Sequence, residues 1–296
     1  LASRSRQAYA WFVPSSRREI ARQILSNQKA LPHFESFRDH RTRLTEILQP
    51  EAGTSNGDLC VLGAGNCYDL DLERLVHAYG RVHLVDIDPW ALSAARDRLP
   101  ASLRDKVAEH APVDLSGCND ALERWHAMQV TPEELAAVPA MVCERICRAL
   151  PGPFHTVVSA CLLSQLLLTT RRVMGERHAL FEAACLVQTL GHLRTLVRLT
   201  APEGRAWFVT DVTSSEIAPL PDVPPGGDLR PLLCELERKN LVFNALAPSA
   251  IAGLVRDDPW LSKESAPADP AAAWYWHNGP RDTFLVYAMR LPRHNP

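Results

Sequence analysis

The sequence predicts an α/β protein built on a mainly parallel sheet with helices on both faces. Three observations carry that expectation. From Leu59 onward, short apolar runs alternate with amphipathic stretches; the first run, "LCVL", ends in a glycine turn, "GAGN"; and two strand-like runs around "HNGPRD" close the chain as a hairpin. The closing hairpin would add an antiparallel member to an otherwise parallel sheet.

Before the sheet, Ser16 and Glu19 have the spacing of a capping box, and Ile20, Ala21, Ile24 and Leu25 give a helical apolar face. Phe37, Leu44, Ile47 and Leu48 outline a second helix that ends at "PEAGTSNG". Residues 1–50 thus form a helical cap, and 51–296 the main domain. Strand "LCVL" is followed by a helix over 70–79, which Gly80 stops, and then by "RVHLVD" as the second strand. A helix over 89–99 starts with Asp88 as its cap and Pro89 at its first position. "VAEHAP" is the third strand, a long helix covers about 133–149, and "FHTVVSA" is the fourth strand, running into an apolar stretch at 161–168. A helix over 175–200 leads to "GRAWFVTD" as the fifth strand; "SSEIAPLPDVPPGGD" is an irregular excursion, and helices follow at about 229–239 and 248–256.

A chain of 296 residues with 46% hydrophobic content is long enough for one large core, and its formal charge of −2 argues against bulk attraction to nucleic acid or an anionic membrane. No stretch is long and apolar enough to span a bilayer, so cytoplasmic residence is expected. The eight cysteines sit mostly in apolar runs without metal-ligand spacing, as reduced small hydrophobes would, and no metal is expected.

Glycine at 63 and 65 lets the backbone turn tightly where the first strand ends, the place where doubly wound sheets bind ligands. Asp86, ending the next strand, can accept hydrogen bonds from both hydroxyls of a ribose. A dinucleotide fingerprint, however, wants a third glycine where Tyr68 stands, and Asp69 and Asp71 put negative charge where a pyrophosphate needs the opposite. A phosphate-free adenosyl ligand carrying positive charge, S-adenosylmethionine, fits better, its carboxylate held by backbone N–H groups. An NAD-dependent oxidoreductase and a non-catalytic binding protein of the same fold remain the alternatives.

At these residues the chain resembles the class I S-adenosylmethionine-dependent methyltransferases. "CVLGAGN" is similar to their glycine-rich first motif, "VHLVDIDP" to the strand with the ribose-binding acid, "APVDL" to the adenine-side acid, and "FHTVVSACLLSQL" to the fourth motif. The resemblance covers about residues 58–291 and implies a seven-stranded mixed sheet of order 3-2-1-4-5-7-6. It implies Gly63, Gly65, Asp86 and Asp114 as cofactor residues, to which Asn66, Ile87, Leu115 and Ser159 are added by their positions. Leu62 stands where the family often has an acid. "VVSACLL" replaces the "DPPY"-like tetrad of enzymes acting on bases or amide nitrogens, so the expected acceptor is a small molecule and nucleic acid is not a substrate.

On the acceptor side the candidates are Tyr9, Trp11, Gln165 and Trp276, with Asp211, Tyr9 and Ser159 for catalysis. Methyl transfer needs mainly alignment, and a base only where an alcohol or phenol must lose a proton. Asp211, after the fifth strand, reads equally as an ammonium partner or base and as a turn cap; Trp274 and Trp276 share one face of a strand and read equally as packing. The cap, through its aromatics, is expected to help build the acceptor pocket.

Overall fold

The computed structural model describes residues 15–50, 57–223, 227–279 and 282–294. Seven strands form one sheet in the order β3-β2-β1-β4-β5-β7-β6. They are β1 (Leu59–Leu62), β2 (Val82–Val85), β3 (Val107–His110), β4 (Phe154–Ala160), β5 (Thr200–Ser214), β6 (Pro270–His277) and β7 (Thr283–Leu291). The first five run parallel, while β7 pairs antiparallel with both β5 and β6. This is the order and the reversed final strand implied by the methyltransferase resemblance. Strands β1 and β2 are buried along their whole length because helices cover both faces, which is why they read as unbroken apolar runs.

The helices are α1 (Ser15–Ala30), α2 (Arg38–Leu48), α3 (Leu72–Ala78), α4 (Pro89–Asp97), α5 (Asn119–His126), α6 (Pro132–Ala149), α7 (Leu162–Met174), α8 (Phe181–Leu199), α9 (Arg230–Arg238), α10 (Pro248–Asp257) and α11 (Leu261–Glu264). Asp88 caps α4 with its side chain on the N–H groups of Trp90 and Ala91, and Thr131 and Glu134 form a reciprocal capping box on α6. The expected box at Ser16 and Glu19 falls on side chains outside the described residues.

Five elements depart from the sequence expectation. The apolar stretch at 161–168 is itself helical and extends to Met174, where Gly175 at φ +77° ends it, so the expected helix over 175–200 begins only at Phe181. Helix α5 forms in the polar segment, where Trp125 and Leu122 bury one face. The helix expected over 70–79 starts at Leu72, with Asp71 accepting from the Arg74 N–H as its cap. Strand β5 continues to Ser214, because its partner β7 remains paired with it to Phe284.

Helix α2 belongs to the core of the sheet domain. Leu44 and Leu48 are fully buried in the cluster that includes Leu59, Val61 and Val286. A polar tie fixes its end: Tyr79 donates to the Leu48 carbonyl, and the buried Arg205 donates to the Gln49 carbonyl at 2.9 Å and to the Tyr79 hydroxyl at 3.0 Å. On its other side His40 accepts from the Trp274 indole N–H at 2.9 Å and stacks on Trp276 at 4.7 Å between centroids, so both tryptophans do face one side of β6. Burial holds His40 neutral, its pKa lowered to about 3.

Candidate active site

A cleft opens beyond the carboxyl ends of β1, β2 and β4, where a doubly wound sheet places its ligands. The turn after β1 forms its floor. Gly63 (φ +78°) and Gly65 (φ +47°) take left-handed conformations, and so does Cys67 (φ +50°), one residue before the Tyr68 that stands in place of a dinucleotide-type glycine. At Gly63 a Cβ would lie 2.9 Å from the Cβ of Leu162, so glycine there also lets the β4–α7 corner pack against the turn.

The N–H groups of this turn are largely committed. Gly63 and Ala64 donate to the Val85 carbonyl, Cys67 to the Ala64 carbonyl, and Gly65 to the Asp86 carboxylate at 2.8 Å. What Gly63 and Gly65 offer a ligand is therefore space rather than free N–H donors.

Asp86 sits at the end of β2, 5% exposed and lining the cleft. Its two oxygens accept one backbone N–H each, from Gly65 and from Asp88 (2.9 Å), which fixes the carboxylate and leaves each oxygen a second lone pair. Burial pushes its pKa up, against the pull of those N–H groups. Ile87, Val113 and Leu115 give the β2–β3 side of the cleft an apolar lining.

Asp114 also lines the cleft, but most of its capacity holds its own loop. One oxygen accepts from the Ser116 N–H and hydroxyl and from the Asn119 amide, and the other only from the Asn119 N–H at 3.3 Å. That second oxygen is the less committed of the two. Asn66 lines the cleft while its amide donates to the Asn27 carbonyl on α1. Gln165, on α7, and Trp276, on β6, reach the cleft as well.

Two expected positions lie elsewhere. Ser159 is fully buried, and its hydroxyl meets Nε2 of His192 at 2.7 Å, because the alternation of β4 turns it into the helical layer; it does not line the cleft. Asp211 lies inside β5 rather than after it, is buried, and accepts from the Ser164 hydroxyl at 2.6 Å. Burial raises its pKa, but it is not a cleft-lining residue. Tyr9 and Trp11 fall outside the described residues.

The structure adds residues that sequence spacing did not point to. Helix α1 lies across the cleft, with Gln23, Ser26, Asn27 and Ala30 lining it; the Asn27 amide donates to Asp88 at 2.8 Å. Phe37 joins Trp276 in an edge-to-face pair at 5.3 Å. Asp69, legible in the sequence only as negative charge ahead of a helix, lines the cleft half-buried, and desolvation pushes its pKa up to about 7. The described lining thus includes Asp69, Asp86 and Asp114 and neither lysine nor arginine. Among the described residues no His, Cys, Asp and Glu group could hold a metal ion, and no helix is long and apolar enough to cross a membrane.

No family model and no curated protein matches the chain. Among solved structures it is similar to the glycopeptide N-methyltransferase MtfA, at 16% identity and TM-score 0.41 over 86% of this chain and 89% of that one. It is also similar to a SAM-dependent methyltransferase from Leishmania major (12% identity, TM-score 0.38, 88% and 73% of the two chains). A third likeness is to an O-methyltransferase family protein from Burkholderia thailandensis (13%, 0.38, 83% and 55%). A shared activity does not follow from likeness at this level; the fold assignment stands on the strand order itself.

Proposed function

We propose that this chain is an S-adenosylmethionine-dependent methyltransferase that methylates a nitrogen or oxygen of a small molecule. The observation that carries this reading is the sign of the cleft: a ribose-competent carboxylate at the end of β2, two further carboxylates, and no cationic side chain in the described lining. A sulfonium ligand is favoured by such surroundings, whereas a pyrophosphate would face carboxylates and a turn whose amides are mostly committed.

When bound, S-adenosylmethionine supplies an electrophilic methyl group, so that a bond to the acceptor forms as the carbon–sulfur bond breaks. Asp86 would receive the ribose hydroxyls on its remaining lone pairs; Ile87 and Leu115 would flank the adenine, with the freer oxygen of Asp114 at its amino group. The glycine turn would give the methionine chain room beside β4. Helix α1 would close the cleft and exclude water, which makes α1, rather than all of residues 1–50, the cap of the catalytic domain. A reducing cytoplasmic setting belongs to the same proposal and is supported by eight unpaired cysteines.

Asp86→Ala tests the reading. Losing a charged acceptor of two hydroxyls is expected to weaken S-adenosylhomocysteine binding about tenfold or more in calorimetry. An unchanged affinity would remove Asp86 from the site.

A further inference from the structure

We propose that the methyl acceptor is an organic amine, held as its ammonium against the Asp69 carboxylate in a cleft that the rings of Phe37 and Trp276 also line. The inference rests on the methyl-transfer reading above and specifies its acceptor.

Asp69 follows the glycine turn in the cleft lining, and its charge is felt by the thiols of Cys67 in that turn and of Cys161 just after β4. Among the described residues no ion pair reaches its carboxylate, although the charge of Arg41 pulls its pKa down against the larger effect of burial. The cation whose charge reaches it, Arg41, is bonded to other groups: it donates to the carbonyls of Tyr68 (2.7 Å) and Phe34 (3.1 Å), and its guanidinium lies over the Phe34 ring at 4.0 Å. An acid in a cleft whose neighbouring guanidinium is bonded to other groups can hold a second cation, and aromatic rings in the same lining attract the same charge. A phenolate or alkoxide acceptor, by contrast, would develop negative charge next to Asp69, Asp86 and Asp114 with no cationic side chain in the described lining to offset it.

The proton step balances simply. An N–H bond of the entering ammonium breaks as an O–H bond forms on Asp69, and the electron pair stays on nitrogen as the nucleophile's lone pair; the proton then passes from Asp69 to solvent. A carboxyl poised near 7 is matched to that exchange. The charged and titratable groups facing Asp69 are Arg41 from α2, Asp86 from the end of β2, and the thiols of Cys67 and Cys161.

The test uses the full chain saturated with S-adenosylhomocysteine and titrated calorimetrically with phenethyltrimethylammonium and with its neutral tert-butyl isostere. The quaternary cation cannot lose a proton, so any change of its affinity near pH 7 belongs to the protein. We expect the cation to bind about tenfold more tightly than the isostere at about pH 8.5. The preference should shrink at about pH 6, as Asp69 takes up a proton. It should vanish in Asp69→Asn, whose S-adenosylhomocysteine affinity stays within about threefold of wild type. Equal binding of the two compounds by wild type overturns the inference without any variant. So does a preference that survives in Asp69→Asn, while collapse of S-adenosylhomocysteine binding in that variant would place Asp69 at the donor's ammonium. Wild type that binds no S-adenosylhomocysteine would instead remove the methyl-transfer reading, and the inference with it.

Discussion

Asp86 and Asp69 both have raised pKa values, with desolvation the largest cause in each, yet the protein treats them differently. Asp86 accepts backbone N–H groups from Gly65 and Asp88, as a residue with a fixed geometric task would; the Asp69 carboxylate has no such clamp from a neighbouring residue. That difference has a consequence for stability. With a pKa near 7 in the folded state and near 3.8 unfolded, Asp69 binds its proton more readily when the chain is folded. Above about pH 7 the folded protein therefore carries an ionised, desolvated carboxylate that the unfolded chain solvates freely, and the residue is destabilising; as pH falls from about 7 towards 4 that penalty disappears. Asp69→Asn should accordingly raise the melting temperature at about pH 8.5, with the gain shrinking towards pH 4, in parallel thermal melts. An equal effect at both ends would mean that the acid is not desolvated. A site residue that destabilises its own fold is the usual sign of a group kept for function.

Among the elements, the glycine turn and the cap show where sequence was informative and where it was not. Gly63 and Gly65 were legible because a glycine pair directly after a buried strand marks a tight turn with left-handed backbone, but their roles separate only in three dimensions. Alanine at 63 meets both a left-handed backbone and the Leu162 side chain at 2.9 Å, whereas alanine at 65 meets only the backbone, its nearest contact being Asn27 Oδ1 at 3.4 Å. Gly63→Ala should cost about 2–5 kcal/mol and Gly65→Ala about 1–2 kcal/mol in denaturant unfolding. Equal losses would show that the β4–α7 corner does not press on the turn. Helix α7 was hidden because a short apolar run does not distinguish a strand end from a helix start, and Ser159 was misplaced for a related reason. The position of a strand residue along the sheet could be read from sequence, but the face its side chain takes depended on the register.

For the whole molecule, the sheet order was legible from the alternation of runs and the closing hairpin, because chirality and short connections leave few topologies. The contents of the cleft were less so. Asp86, Ile87, Asp114 and Leu115 follow strands and could be placed by counting, and Trp276 stood out as an aromatic in the closing strands, whereas Asn27 and Phe37 come from segments far from these in the chain, and no local pattern encodes their meeting. The same long-range packing decides where the cap ends. Leu44 and Leu48 are fully buried, and each contributes about 1.5–3 kcal/mol by burial, a large share of the roughly 5–15 kcal/mol that holds a domain together. A chain lacking residues 1–30 should therefore fold with a cooperative melt, while one lacking 1–50 should not. Cooperative folding of the shorter chain would return α2 to the cap.

What the crevice beyond β1 and β2 accepts decides between donor chemistries, and competitive calorimetry on the purified chain measures this directly. S-adenosylhomocysteine is expected to bind with a dissociation constant in the low micromolar range, about −8 kcal/mol, with no detectable heat from NAD at the same concentrations. Binding of NAD by a protein indifferent to S-adenosylhomocysteine would contradict the assignment.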